Sequence, residues 1–517
     1  MFDKIANFFR KAGVKMGVVE SLNKITDHPN ISVRESEYQR IAINKMYYSG
    51  EFPMVKFRNS YGVIQEREYV SLNTSKVASE HMASLVFNEQ CKINIDNDEV
   101  AEFIDSVFQQ NDFEENFERY LESGFALGGF AMRPYVNDNN QIEIAWCNAD
   151  TFYPLRSNTN KISEAAIATT TSRSEGKETA YYTLLEFHEW IDGEYTITNE
   201  LYRSTQQSIV GDKVPLKRLY PDVEPSVVLE GATRPQFVYF KPAGMNNKDL
   251  TSPLGLSIVD NARATMKQIN DTYDQFNREV KKGGRKVVVS DYFLKTVHNK
   301  QGAPTRILDD DEDVFLALPF DKDKMEVKDI THEIRSQAYI ESINQFIKVF
   351  EMQARFSPGT FSFDAKGGLK TATEVAAEGS LTYKTRNSQV NMARKAIEGL
   401  IVAILELAEA NDLFEMPIHE YKDEETGEII NTGVAATYEI GIDFDDGIFV
   451  DKDAQMEYVG KALTNKIMSR VTAIMKVFDL PEEEALKELA RIQAEQNGND
   501  PEMQAKINEI LNFGKEE

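Results

Sequence analysis

Only two cysteines, Cys91 and Cys147, occur in the 517 residues, far apart and in no CxxC pair. That excludes a disulfide framework and a cysteine-rich zinc site, and it fits folding in a reducing cytosol. Histidine is scarce as well, at six. Three histidines precede glutamate (His188-Glu189, His332-Glu333, His419-Glu420), but none has a second histidine four residues on, so the metalloprotease helix is missing. Gly255-Leu256-Ser257 begins a nucleophile elbow without its closing glycine. Long apolar runs are lacking too. The most apolar stretch, Leu400 to Leu407, falls far short of the roughly 20 residues that span a bilayer. Met1-Phe2-Asp3-Lys4-Ile5 carries charge where a signal peptide needs apolar residues. A soluble protein made in the cytosol is expected. Positive charge is in deficit, 58 basic against 84 acidic residues for a net −26. Such a balance repels polyanions, so any contact with nucleic acid should be local or fleeting.

Apolar and aromatic residues are ample, at 41% and 10% with 30 Phe and 21 Tyr, which argues against a disordered chain. The length calls for two or more structural units. Residues 4–25 read as a basic amphipathic helix with Ile5, Phe8, Phe9, Ala12, Met16, Val19 and Leu22 on one side. Such a stripe suits a peripheral helix docked on its own domain better than a membrane surface. Residues 74–130 read as three helices capped by Thr74 or Ser75, by Asp98 and by Asp112, the third running from Phe113 to Leu127 and stopping at Gly128-Gly129. Strands are expected at Phe130–Val136, Ile142–Ala145, Ala165–Thr171, Ala180–Trp190, Tyr195–Tyr202 and Phe237–Lys241, mostly in hairpin order. The first half is therefore α+β.

A different regime opens at Pro253 and Gly255. Val259, Ala262, Met266, Ile269, Tyr273, Phe276 and Val280 alternate steps of three and four, a coiled-coil-like seam on a helix ending at Lys281-Lys282-Gly283-Gly284. A small β insert begins at Lys286–Val289 and holds the acidic run Asp309-Asp310-Asp311-Glu312-Asp313. A second helix over about 333–355 repeats the seam with Ile340, Ile343, Ile347, Phe350 and Ala354. Two seamed helices around one insert should pack antiparallel with the insert at one tip. The segment 356–370, with Pro358, Gly359, Gly367 and Gly368 beside Lys366 and Lys370, is long for a loop between helices and points to function or mobility. Its Gly367-Gly368-Leu369-Lys370-Thr371 is no phosphate loop, because Leu369 breaks the Gly-Lys-Thr order. Thr371 and Glu374 form a capping box for a helix reaching about Glu409, with a kink plausible near Gly379. A strand at Ala436–Phe444 and helices at about 454–463, 469–477 and 482–495 follow. Asp443, Asp445, Asp446, Asp451 and Asp453 carry oxygens suited to Mg²⁺ or Ca²⁺. They fail the calcium-loop template, because Gly447 comes one place early and Ala454 stands where a bidentate Glu is needed.

This order of segments resembles the portal proteins of tailed bacteriophages, especially those of phages infecting Gram-positive bacteria. The likeness is carried by Ser252-Pro253-Leu254-Gly255-Leu256-Ser257-Ile258-Val259-Asp260-Asn261-Ala262 leading into Asp271-Thr272-Tyr273-Asp274-Gln275-Phe276. Lys282-Gly283-Gly284-Arg285-Lys286-Val287, Lys370-Thr371-Ala372-Thr373-Glu374-Val375 and Gly124-Phe125-Ala126-Leu127-Gly128-Gly129-Phe130 add to it. Each motif is weak alone; their order and spacing are what is specific. The resemblance implies an α+β portal fold. Residues 1–252 would form an α/β wing, 253–283 and 331–355 a two-helix stem, and 284–330 a small β-containing clip. A tunnel loop would occupy 356–371, a long wing helix with a returning wing strand 372–450, and a helical crown 451–517.

The resemblance further implies a homo-oligomeric ring, twelve-fold in the family, at one capsid vertex of the virion. Double-stranded DNA would pass through it on packaging and ejection. The implied partners are the terminase large subunit, head–tail adaptor or connector proteins, and the major capsid or scaffolding protein, with transient contact to DNA and none to a membrane. No catalytic residue, metal or cofactor is expected. Lys366 and Lys370 are expected to touch phosphates transiently, while Phe361 and Phe363 pack the loop or narrow the bore; an ordered loop turned from the axis is the plainer alternative. Met266, Tyr273, Phe276, Phe346 and Phe350 either pack one subunit's helices together or meet a neighbour. Asp309, Asp310, Asp311 and Asp313 are docking candidates or, more simply, solvated charge. Two rival readings stay open: an enzyme acting on nucleic acid through metal held by Asp443, Asp445 and Asp446, and another minor head protein without a closed ring.

Overall fold

The alternation of apolar and polar residues through 130–204 produces the strands that organise the body. In the computed structural model the description covers residues 21–496 except 59–62, 89–90, 159–160, 284–286, 291–294, 299–303, 308–314, 319–327, 330–332, 363–371, 423–428, 436–437, 445–451, 466–467 and 479–481. Two units emerge, residues 1–366 with 379–444, and residues 367–378 with 445–517.

Strands β1 (Ser21–Leu22), β2 (Val55–Arg58), β3 (Ile64–Arg67) and β4 (Lys92–Ile95) lie among the first helices. Then come β5 (Phe130–Val136), β6 (Ile142–Asn148), β7 (Phe152–Asn158), β8 (Lys161–Glu175), β9 (Glu178–Ile191) and β10 (Glu194–Ser204). Three short strands close the series, β11 (Gly211–Val214), β12 (Ser226–Leu229) and β13 (Val238–Phe240). A seven-stranded antiparallel sheet runs in the order β1-β11-β10-β9-β8-β7. Strand β12 shares the edge of β10 with β11, taking Tyr195–Thr198 while β11 takes Leu201–Arg203. The β9–β10 hairpin turns on Asp192-Gly193, both with positive φ, the backbone a tight right-twisted hairpin requires. A smaller sheet, β13-β5-β6, sits beside it. The expected strands are all present, mostly longer than read; β7, β11 and β12 had no distinct signal.

The expected helix at 4–25 lies outside the described residues up to position 20. It does not reach 25, because Ser21–Leu22 pairs with β11 and Ile25–Asp27 forms a 3-10 turn. Leu22 is buried there, so the sheet edge wins over a helical stripe.

Helix α1 (Glu35–Ser49), unforeseen, precedes α2 (Thr74–Val86), α3 (Asp98–Gln110) and α4 (Phe113–Leu127). Two of the three expected caps shift by one residue. Asn73 and not Thr74 precedes α2, and Asn97 caps α3 by accepting from the Val100 amide at 3.1 Å. Asp112 stands at the cap of α4 but holds a left-handed backbone and makes no side-chain cap bond. Helix α4 ends on Gly128 at φ 104.

Helix α5 (Arg263–Lys282) begins four residues later than the seam, since 260–262 form a 3-10 turn. Beyond it lie β14 (Val287–Ser290), β15 (Lys295–His298), β16 (Pro304–Ile307), β17 (Phe315–Leu318) and β18 (Lys328–Asp329). Strand β14 pairs parallel with β17 and antiparallel with β18, while β15 and β16 form a hairpin. Helix α6 (Ser336–Ala354) returns, and α7 (Ala372–Ala410) follows. A hairpin of β19 (Ile418–Lys422) and β20 (Ile429–Ala435), not foreseen, precedes β21 (Ile440–Asp443), which pairs with β4. The expected strand at 436–444 is thus shorter, and 436–437 lie outside the described residues.

The largest core joins α2, α3 and α4 to strands β5 and β6, the start of α5, the end of α6 and the middle of α7. Ile397, Leu400, Ile401 and Ile404 are fully buried, so the most apolar run in the sequence is a core helix. Among the described residues no helix is long and apolar enough to cross a membrane. The second unit contains α8 (Lys452–Thr464), α9 (Arg470–Phe478) and α10 (Glu482–Gln496), with Val459, Ala473, Ile474, Ala485 and Ala490 buried. Ser469 caps α9 by accepting from the Thr472 amide at 3.0 Å.

Candidate functional site

The helix pair α5/α6 is antiparallel, as its cross-contacts show. Thr265 donates to Gln353 at 2.8 Å near the body, the Phe276 and Tyr339 rings lie 5.2 Å apart midway, and Glu279 meets Arg335 at 2.7 Å toward the insert. Glu279 also accepts from Tyr339 and from the Arg335 amide, and these bonds, led by the Arg335 guanidinium, hold its carboxyl at about 2. Seam residues near the body are buried within the one chain: Met266, Ile269, Ile343, Ile347 and Phe350. Tyr273 and Phe346 are half-buried against that core, and Phe276 is half-buried against Tyr339. The seam does not stay covered to its far end, where Val280 is 46% and Ile340 41% exposed.

The root of the pair is held by charge. On α1 the buried face is Glu37, Arg40, Ile41 and Asn44. Arg40 donates to Glu37 at 3.0 Å, to Asp260 at 2.6 Å and to the Gly255 carbonyl at 3.0 Å. Asp260 also accepts from Asn44 at 3.1 Å, from the Ser257 amide at 3.0 Å and from Arg263. Glu37 in turn accepts from Asn246 and Ser252, each at 2.8 Å. Two buried carboxylates thus face two guanidiniums with their lone pairs filled, the condition under which a buried ionic group is tolerated. The outer face of α5 is tied as well. Asp274 takes both terminal nitrogens of Arg67 at 2.6 Å, Asp271 accepts from Tyr69 at 2.7 Å, and Asn270 accepts from the Leu72 amide at 3.1 Å.

Two of the sequence motifs meet at this root. Ser257 and the Ile258 amide both donate to the Phe125 carbonyl, at 2.9 and 3.1 Å. Gly128 and Gly255 touch backbone to backbone: a Cβ on Gly255 would stand 2.2 Å from the Gly128 oxygen, and one on Gly128 would stand 2.7 Å from the Gly255 oxygen.

At the other end of α6, Arg355 turns left-handed at φ 63 and the chain enters the loop. Glu351 is fully buried, and its carboxylate accepts from the amides of Gly359 at 2.8 Å and Phe361 at 2.6 Å. Ser357 and Thr382 exchange hydrogen bonds, tying the loop's start to α7. The Phe361 ring is half-buried, 5.0 Å from Phe356 and 5.7 Å from His81. Phe363, Lys366 and Lys370 lie outside the described residues, as do Asp309, Asp310, Asp311 and Asp313. Glu351→Ala would leave two loop amides without their acceptor, a loss of about 1–3 kcal/mol locally. Trypsin is then expected to cut the 356–371 segment several-fold faster than in the parent protein, read by timed gels; unchanged cleavage would contradict that role.

Of the carboxylates of the rival enzyme reading, only Asp443 lies among the described residues. Asp443 is exposed on β21, opposite Lys92 of β4, and Asp445, Asp446 and Asp451 lie outside the described residues. Among the described residues no group of three or more His, Cys, Asp or Glu is placed to hold a metal ion.

Compared with known families, residues 27–502 match the model of the phage portal proteins of the SPP1 Gp6-like type. The chain belongs to the phage portal protein family. A portal protein is a structural component of the phage and not an enzyme. Among curated proteins no match is found. Arg40 and Glu351 went unread in the sequence, and Asp260 and Asp274 stood there only as members of motifs, with no role of their own. For Asp271 and Asp274 the available signal was their place off the seam of an otherwise apolar-striped helix; for Glu351, a lone acid beside seam residue Phe350.

Proposed function

We propose that the chain forms a ring of twelve subunits at one capsid vertex, the conduit for double-stranded DNA and the platform for terminase and the head–tail connector proteins. In this reading 1–252 is the wing, α5 and α6 the stem, 284–330 the clip, 356–371 the tunnel loop, 372–450 the long wing helix with its returning strand, and 451–517 the crown. The observation that carries it is the antiparallel helix pair rooted in the body by a buried ionic cluster, with a β insert at its far end and a clamped loop at its near end. A rigid strut of that kind sets a bore's diameter when repeated around an axis. The net charge of −26 suits a conduit, since each neutralised phosphate adds a salt-sensitive hold that translocation must break. Purified protein is expected to show rings with an open centre in negative stain; monodisperse monomers at high concentration would sink the reading.

Lys366 and Lys370 touch passing phosphates in this scheme, while Phe361 serves as packing for the loop's clamped root. Replacing both lysines by glutamine is expected to lower packaging efficiency or DNA retention by several-fold. Packaging and retention equal to the parent would remove these lysines from the mechanism.

A further inference from the structure

Strand β4 pairs with β21 alone, so one of its edges has no described strand beside it. The Asp96 amide, one place past β4, donates to the Glu439 carbonyl at 3.3 Å. Bonding residues alternate along an antiparallel pair, so Asn94 and Lys92 also bond toward β21. The amides and carbonyls of Ile93 and Ile95 therefore turn to the open edge. Along that edge runs a groove of about 670 Å³. It touches Cys91, Lys92, Ile93 and Asn94 in succession, which places it beside the backbone, because successive side chains point to opposite faces. The other walls are the end of α3 and the start of α4. Phe108 and Phe113, buried with ring centres 4.0 Å apart, make an apolar floor. Asp105, Asp112, Glu114 and Glu115 stand exposed on the rim. Lys92 across the groove and Arg119 beside Glu115 leave that rim net acidic. An open edge over an apolar floor is where an extended segment adds as a further strand, and an acidic rim selects a basic one.

The chain holds such a segment. Residues 1–20 lie outside the described residues and ahead of the span matched by the family model. They carry Lys4, Arg10, Lys11 and Lys15 against Asp3 and Glu20, in a chain whose net charge is −26. Within them, 4–11 has three cations and no acid, together with Ile5, Phe8 and Phe9. Drawn out as a strand, Ile5, Phe9 and Lys11 fall on one side and Lys4, Phe8 and Arg10 on the other. Either side brings a phenylalanine for the floor, and both bring charge for the rim. The segment precedes β1 by enough chain to reach about 30–60 Å from Ser21 when extended.

We propose that residues 4–11 of this chain occupy the groove in extended form and add a third strand to β4 and β21. A phenylalanine covers Phe108 and Phe113, and Lys4, Arg10 and Lys11 answer Asp105, Asp112, Glu114 and Glu115. The proposal does not depend on the ring reading above.

The test is hydrogen exchange at residue resolution on the full-length chain. The amides of Ile93 and Ile95 are expected to exchange several-fold more slowly in the parent than in a Lys4→Glu, Arg10→Glu, Lys11→Glu variant. Those of Lys92 and Asn94, held by β21, should be alike in both. Adding Glu114→Lys and Glu115→Lys to the triple variant should restore part of the protection. Free exchange of Ile93 and Ile95 in the parent would show an empty edge and overturn the proposal. Protection that survives the charge reversal would mean another occupant and overturn it too. A covalent arm uses Phe8→Cys with Gln109→Cys, in a Cys91→Ser background that clears the native thiol from the groove; Cys147 is buried and stays silent. A short bis-maleimide is expected to join the two positions in the double variant, read by mass spectrometry. A link within one chain or a link between two copies supports the proposal and says which copy supplies the segment. Folded double variant that gives neither link overturns it.

Discussion

An Asp260→Ala protein is expected to lose about 3–5 kcal/mol of stability, the cost of stripping one partner from a buried ionic cluster. The Asp260 side chain is fully buried and takes hydrogen bonds from Arg40, Asn44, Arg263 and the Ser257 amide. Glu37 would remain for Arg40, but the cluster would carry one uncompensated positive charge with little water to screen it. Denaturant melts of the parent and variant measure the loss. Adding Arg263→Ala restores charge balance, so the double variant should lose clearly less than the sum of the two singles. A midpoint for Asp260→Ala indistinguishable from the parent would show that the cluster is ornamental. Exchange of α5 amides should rise along with the global loss, because the same cluster roots that helix.

The second large effect is expected at the glycine contact. Gly128→Ala meets two obstacles, a left-handed backbone at φ 104 and a carbonyl oxygen 2.7 Å from the new methyl. Gly255→Ala meets the Gly128 oxygen at 2.2 Å, and Lys241 and Pro242 close the other sides. A backbone carbonyl cannot swing aside as a side-chain tip can, so the α4 terminus and the 252–257 segment must separate. Each substitution is expected to cost about 3 kcal/mol or more. Gly176→Ala gives the comparison: φ is +67 there too, but nothing lies within 4 Å, so only backbone strain of about 1 kcal/mol is expected. Thermal melts that ranked Gly176→Ala as the most damaging of the three would refute the packing argument.

Much of the architecture was legible because it obeys simple periods. The seam of alternating threes and fours located α5 and α6 to within a few residues, and Gly128 stopped α4 where a left-handed residue was needed. Helix α1 escaped because its buried face is mainly Glu37, Arg40 and Asn44, which any hydropathy pattern assigns to solvent. Those residues are inside only because Asp260, more than two hundred positions away, completes their charges. The seam also misled at one end. Val280 and Ile340 continue the pattern yet stand exposed, since a heptad marks what is apolar and not which chain covers it. Of the candidate residues, Met266 and Phe350 are buried within the subunit, and Phe361 packs inward on the root of its loop. The motifs that carried the family resemblance could be seen as strings of residues, but their contact through Phe125, Gly128, Gly255 and Ser257 could not, because no local rule links positions so far apart.

That distance has a consequence for how the protein is made. The largest core takes walls from α2 to α4, from the ends of the helix pair and, late in the chain, from Ile397, Leu400, Ile401 and Ile404 of α7 and Ile442 of β21. The helix pair and its insert are therefore an excursion from a body whose closing wall leaves the ribosome after them. A nascent chain halted before residue 390 lacks that wall of the core to which Phe117, Leu121 and Phe125 belong. Contacts of such long sequence separation form slowly, and the core begun by α2 to α4 can close only once α7 and β21 have been made.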